Sequence, residues 1–88
     1  MEGIAVPIIG YRGEKIEWGD FVEMVDINSS GVFIEPERVI ILNPTKSLID
    51  FFKDMGIEYR KLSKSEVDRY VREVLGLIKE EEEEEKGV

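Results

Sequence analysis

An α+β domain on a mostly antiparallel sheet of four to six strands is what this sequence predicts, and three observations predict it. Short apolar runs bounded by glycine, proline, asparagine and serine fill the first half. A continuous apolar run, Val39 to Leu42, has the pattern of a strand covered on both faces. Two later segments then carry apolar residues at one-face helical spacing, the second making a long C-terminal helix. At 88 residues and 42% apolar, the chain has the size and composition of a single core. Residues 1–79 are expected to form that domain, and residues 80–88 an acidic tail or helix extension.

Taken in order, Ile4 to Ile9 is apolar on both pleat faces and is predicted to be a strand, with Pro7 pointing to a sheet edge or a bulge. Gly10-Tyr11-Arg12-Gly13 has the spacing of a turn, after which Ile16 and Trp18 alternate with charged residues on a short return strand. Phe21 to Ile27 is mixed: Asp20 and Glu23 suit a helix capping box, whereas Val22, Val25 and Ile27 are β-branched. Asn28-Ser29-Ser30-Gly31 is turn chemistry between two apolar runs, which favours a hairpin of Phe21–Ile27 with Val32–Glu35.

Pro36-Glu37 breaks the pattern before Val39–Leu42, the expected middle of the sheet. Asn43-Pro44 combines a capping side chain with a proline suited to the first helical position, and Leu48, Ile49, Phe52 and Met55 keep one face until Gly56. Ile57 to Lys61 follows as a strand. A strand-helix-strand run of this length implies a right-handed crossover and one parallel β-α-β pair with Val39–Leu42. Ser63 and Glu66 then form a capping box ahead of a stripe of Val67, Tyr70, Val71, Val74, Leu75 and Ile78.

Composition removes several kinds of chemistry. There is no histidine and no cysteine, so imidazole bases, thiol nucleophiles, disulfides and thiolate-bound zinc are excluded. No run of 18 apolar residues and no basic-then-apolar leader occurs, so neither a membrane span nor a secretory signal is expected, and the cytoplasm is the expected location. Glutamine is absent and only Asn28 and Asn43 are asparagines, the composition of a heat-adapted protein. The net charge of −8 is unevenly spread: residues 1–37 hold eight acids and two bases, residues 38–79 six acids and nine bases, and residues 80–88 six acids and one base.

Ile9-Gly10-Tyr11-Arg12-Gly13-Glu14-Lys15-Ile16 resembles the I-G-x-x-G-x-x-I signature of KH domains over eight of the 88 residues. The resemblance implies a loop joining two helices, with Gly10, Arg12, Gly13 and Lys15 against a nucleic-acid backbone. Pro7 stands where a KH fold needs a helix, and an ordinary hairpin turn is the simpler reading of two glycines three apart.

Elsewhere the bases gather late. Arg60, Lys61 and Lys64, with Lys53, Arg69 and Arg72 on the flanking helices, could neutralise phosphates together with Arg12 and Lys15. Glu66, Asp68 and Glu73 are interleaved with them, so surface ion pairing is the stronger expectation. Asp20, Glu23 and Asp26, with Glu35 and Glu37 across the expected hairpin, are the only candidates for a carboxylate-held metal or an acid-base pair, and their spacing matches no calcium loop.

Tyr11, Trp18, Phe21 and Phe33 could anchor an interface, although a core this small needs most of its aromatics. Glu80 to Glu85 is either a solubilising tail or an arm that meets Arg60, Lys61 and Lys64 of its own or a neighbouring subunit. The leading expectation is a non-enzymatic interaction module, a homo-oligomer or subunit of a larger assembly, because acidic and basic regions on one small domain favour association. An RNA- or DNA-binding module using residues 53–72 is the alternative, and a carboxylate-dependent metal binder or enzyme comes third. No cofactor is expected.

Overall fold

The computed structural model describes residues 1–8 and 16–86, with side chains through Gly76. The elements are β1 (Gly3–Pro7), α1 (Trp18–Ile27), β2 (Gly31–Ile34), β3 (Arg38–Leu42), α2 (Lys46–Met55), β4 (Arg60–Leu62) and α3 (Lys64–Lys86). The four strands form one antiparallel sheet in the order β2-β3-β1-β4. β3 thus separates β1 from β2, and β1 separates β3 from β4. The β-α-β-β-α-β order with two interleaved split β-α-β units is the ferredoxin-like arrangement, to which α3 is added.

Alternation along the strands builds two cores. Ile4, Val6, Val39 and Ile41 point to one face, where they pack with Phe21 and Val25 of α1, Leu48 and Phe52 of α2, and Ile57. Ala5, Ile40, Leu42 and Leu62 point to the other, where Val67 of α3 covers them with Phe33, Tyr70 and Val71 around it. Among the described residues the result is a helix pair, the sheet and α3 in three layers, which is why Val39–Leu42 is a continuous apolar run.

Several expectations are corrected. Phe21–Ile27 is helix, not strand, and Trp18 opens that helix instead of lying on a return strand. Trp18, Phe21, Val22 and Val25 share one helical face, and the core beneath them outweighs the β-branched Val22, Val25 and Ile27 and the turn chemistry that follows. The Asn28-Ser29-Ser30 segment ends this helix: the Asn28 N–H and side-chain amide both donate to the Met24 carbonyl, at 3.1 and 2.9 Å. The Ser29 hydroxyl donates to Val25 O at 2.6 Å, so these side chains satisfy carbonyls a helix terminus leaves open. The hairpin is formed instead by β2 and β3 through Pro36-Glu37, closed by Glu35 N–H to Arg38 O at 2.9 Å.

The parallel β-α-β pair is likewise overturned. The strand after α2 is Arg60–Leu62, and it is hydrogen-bonded to β1, not β3. β3 and β4 do run in the same direction, since both are antiparallel to β1, but the crossover skips one place to leave room for the first strand. Pro7 is tolerated on interior β1 because β4 pairs only as far as Ala5, leaving Pro7 without a ladder partner on that side among the described residues.

α2 starts later than the Asn43-Pro44 signal. Thr45 is its N-cap, accepting the Leu48 N–H on Oγ1 at 3.2 Å, while Asn43 adopts φ 47° and accepts the Glu2 N–H on Oδ1 at 3.1 Å. Its end is as expected: Gly56 takes the left-handed φ of 68° open to a residue without Cβ. The capping box is present too, with Glu66 N–H to Ser63 Oγ at 3.2 Å and Ser63 N–H to Glu66 Oε1 at 3.3 Å. α3 continues through the glutamate run to Lys86. Among the described residues no helix is long and apolar enough to cross a membrane.

Candidate functional site

α3 crosses the sheet from the β4 corner toward the β2–β3 turn, and the space it leaves beside β3 and β4 is a cleft of about 220 Å³. Ile40 and Leu62 line its apolar part, and Arg38, Arg60, Glu66, Arg69, Tyr70 and Glu73 line the rest. Register places the first two arginines: Ala5 of β1 pairs with Ile40 on one side and Arg60 on the other, while Arg38 lies opposite Pro7. Helical spacing then stacks Glu66, Arg69, Tyr70 and Glu73 along one side of α3.

The cleft is held by two polar clusters. At one end Glu35 accepts from Arg38 Nε at 3.0 Å and from the Tyr70 hydroxyl at 2.8 Å. Tyr70 also packs edge-on against Phe33, with ring centroids 5.4 Å apart, and lies 6.0 Å beneath the Arg38 guanidinium. At the other end Arg60 Nη2 meets Glu66 Oε2 at 3.3 Å, on the carboxylate that closes the capping box. Among the described residues Arg69 enters no ion pair. Three guanidiniums from three elements can receive a single carboxylate or phosphate, but Glu66 and Glu73 already offset much of their charge.

The ionisations follow from these contacts. The Arg38 hydrogen bond, opposed by partial burial and assisted by the Tyr70 hydroxyl, holds the Glu35 carboxyl below the usual range. Glu66 is held low mainly by the Ser63 amide, then by the Ser63 hydroxyl and, more weakly, by Arg60. Burial, reinforced by the Glu35 carboxylate, pushes the Tyr70 phenol up to about 12.

A pH dependence follows. Because its folded pKa is raised, Tyr70 contributes stability that is complete below its ordinary pKa of about 10 and disappears as pH rises toward about 12. Glu35 has the opposite sign: its contribution is present above the ordinary carboxylate pKa and disappears as pH falls through its lowered folded value. Tyr70→Phe is expected to cost about 1 kcal/mol at neutral pH, for loss of a hydrogen bond to a charged acceptor. It should also flatten the fall in urea stability between pH 10 and 12. An ultraviolet titration in which every tyrosine ionises near pH 10 would contradict the Tyr70–Glu35 contact.

The basic residues singled out in the sequence are divided by the fold. Arg60 and Arg69 share the cleft, joined by Arg38, which sequence reasoning missed because it precedes an apolar run without belonging to a basic cluster. Lys61 is next to Arg60 in the strand and points to the opposite face, where it lines a different groove with Lys64. Lys53 is exposed near the end of α2, and Arg72 is exposed on α3 outside the cleft lining. Tyr11, Arg12 and Lys15, and with them the whole Gly-x-x-Gly segment, lie outside the described residues.

Of the proposed interface aromatics, Phe21 is wholly buried between the rings of Trp18 and Phe52, at 5.6 and 5.9 Å. Phe33 is half-buried on Tyr70, and Trp18 remains 40% exposed. Asp20, Glu23 and Asp26 lie exposed along α1, on the other side of the sheet from Glu35. The described residues contain no group of three or more Asp or Glu placed to hold a metal ion.

The sheet edges differ in a way the sequence did not reveal. β4 is a three-residue edge with two basic side chains, which disfavours further pairing. β2 is an open edge of four residues, Gly-Val-Phe-Ile, with no charge and with Ile34 54% exposed. No known protein family, curated protein or solved structure matches this chain.

Proposed function

We propose that the protein is a non-enzymatic interaction module that associates with itself. One observation carries the reading: α3 runs well past the layer that supports it. Its 23 residues span about 34 Å, whereas the longest strands have five residues and span about 17 Å. Among the described residues its first turns bury Val67 against the sheet, and Leu75 is 50% exposed. A helix segment without tertiary contacts is marginal in water, and consecutive glutamates set like charges four apart. A partner lying along α3 beyond the length of the strands would supply the packing that so long a helix calls for. The uncharged β2 edge, with Ile34 54% exposed, is a second apolar surface without a strand partner among the described residues.

The measurement that tests this is sedimentation equilibrium of the full chain over a wide concentration range, with absorbance at 260 and 280 nm. A mass rising above the 10.2 kDa of one chain, at a protein-like absorbance ratio, is the expected result. A chain that stays at 10.2 kDa at every concentration would refute the reading. The convergence of Arg38, Arg60 and Arg69 favours a second reading, nucleic-acid binding through backbone phosphates. That reading requires a raised 260 nm absorbance and an affinity that falls log-linearly with salt.

A further inference from the structure

β2 is bonded to β3 on one side and has no strand on the other among the described residues. The Glu35 N–H donates to Arg38 O at 2.9 Å, and alternation along an antiparallel ladder makes Phe33–Ile40 and Gly31–Leu42 the further hydrogen-bonded pairs. The N–H and C=O groups of Val32 and Ile34 therefore point away from the sheet. Val32 and Ile34, paired with Ile41 and Val39, turn their side chains to the helix-pair face, while Phe33 turns to α3 and Tyr70. We infer that β2 pairs antiparallel with β2 of a second copy, centred on Phe33, so that the two sheets become one. This rests on the self-association reading and names the surface that serves it.

The edge selects its own register. About a two-fold axis only the central residue is left to choose. Centred on Ile34, Val32 would meet the partner's Pro36, which has no N–H to donate. Centred on Val32, Ile34 would meet the partner's Ser30, whose N–H is already given to Leu42 O at 2.8 Å. Centred on Phe33, Val32 and the partner's Ile34 exchange both backbone hydrogen bonds, twice by symmetry. The side chains fit the same register: Val32 lies beside the partner's Ile34 on one face, and Phe33 beside the partner's Phe33 on the other. Glu35, held by Arg38 and Tyr70, falls opposite the partner's Gly31. Within its own chain nothing requires a glycine at 31, because a Cβ there would meet only Leu42 Cδ1, at an ordinary 3.7 Å, and its φ is not left-handed. Opposite the partner's Glu35, a residue without a side chain leaves that carboxylate its room.

Charge separates the two sheet edges. β2 brings no like charges together in this register, whereas β4 centred on its middle residue would set Lys61 against the partner's Lys61. At longer range the copies repel: each carries −8, and α1, which contacts β2, exposes Asp20, Glu23 and Asp26. Added salt screens that repulsion, so the pairing strengthens with salt, the reverse of binding to phosphates.

The experiment joins cysteine crosslinking to sedimentation equilibrium of the full chain at low and high salt. The chain has no cysteine, so each variant carries a single thiol. Facing residues in a non-hydrogen-bonded antiparallel pair have Cα atoms about 4.5 Å apart, within disulfide range. Phe33→Cys, oxidised at a concentration where the chain associates, should give a covalent dimer in high yield, whereas Lys53→Cys on exposed α2 surface should not. Ile34→Lys, at a position already exposed, should leave the urea midpoint unchanged and weaken association by roughly tenfold or more, since it sets a charge against the partner's Val32 at two symmetric places. Phe33 packs on Tyr70, so circular dichroism checks the fold of Phe33→Cys, and Ile34→Lys tests the same edge without touching that contact. Three results each overturn the β2 pairing while leaving self-association standing: Phe33→Cys crosslinking no better than Lys53→Cys, Ile34→Lys associating as wild type does, or association that weakens as salt rises. A wild-type chain that is monomeric throughout removes the self-association reading itself, and leaves the β2 edge to an extended segment of another protein.

Discussion

Phe52→Ala is expected to destabilise the domain by roughly 3–5 kcal/mol, the cost of emptying a buried aromatic site that cannot fully collapse. Phe52 is completely buried, and three other rings close around it: Phe21 stacked at 5.9 Å, Tyr59 at 6.0 Å and Phe51 at 6.3 Å. It joins α2 to α1 and to the segment leading into β4, so its loss loosens both connections at once. Domains are stable by only about 0.05–0.15 kcal/mol per residue, so for 88 residues this one truncation removes a large part of the total. Urea denaturation followed by fluorescence of Trp18, which stacks on Phe21, reads the change directly. A loss below about 1 kcal/mol would mean that the aromatic cluster is not packed as described.

Gly3→Val is expected to lower stability by roughly 1–3 kcal/mol, the usual cost of overpacking, although valine is much the better strand residue. A Cβ at Gly3 would lie 2.9 Å from Val67 Cγ2 and 3.1 Å from the Ile41 backbone oxygen. The first contact sets how closely α3 approaches the sheet, and the second involves the neighbouring strand, which cannot move without disturbing the β1–β3 ladder. Pairing the substitution with Val67→Ala should recover part of the loss, since it relieves only the first clash. An unchanged urea midpoint for Gly3→Val alone would show that α3 does not lie on β1.

These two sites illustrate what could be read early and what could not. Phe52 belongs to a stripe with Leu48, Ile49 and Met55 that a helical period makes plain, and its burial follows from that pattern. Gly3 carries no signal, because a glycine ahead of an apolar run looks like the end of a strand. The same limit applied to the cleft: Arg60 and Arg69 were recognised as bases, but Arg38 joined them only through the pairing of Pro7 with Arg38 and of Ala5 with both Ile40 and Arg60. Lys61, adjacent to Arg60 in sequence, is taken elsewhere because successive residues of a strand point to opposite faces, and Lys64 at the start of α3 lines the same separate groove.

The sequence by itself determined the elements whose stabilising contacts lie within one or two turns of chain. These are the Ser63–Glu66 capping box, the Gly56 terminus of α2, the central place of Val39–Leu42, and a late helix that starts apolar on one face and ends in glutamate. Only the tertiary structure decided whether residues 18–27 are helix or strand, because the Asp20 and Glu23 capping signal and the β-branched Val22, Val25 and Ile27 point to opposite elements and the core beside β1 and β3 selects between them. It also decided that β1 enters between β3 and β4, a choice made by pairing between residues 31 to 59 positions apart that no local pattern records. From that choice follow the arginine cleft beside β3 and β4 and the place of β2 as an uncharged sheet edge.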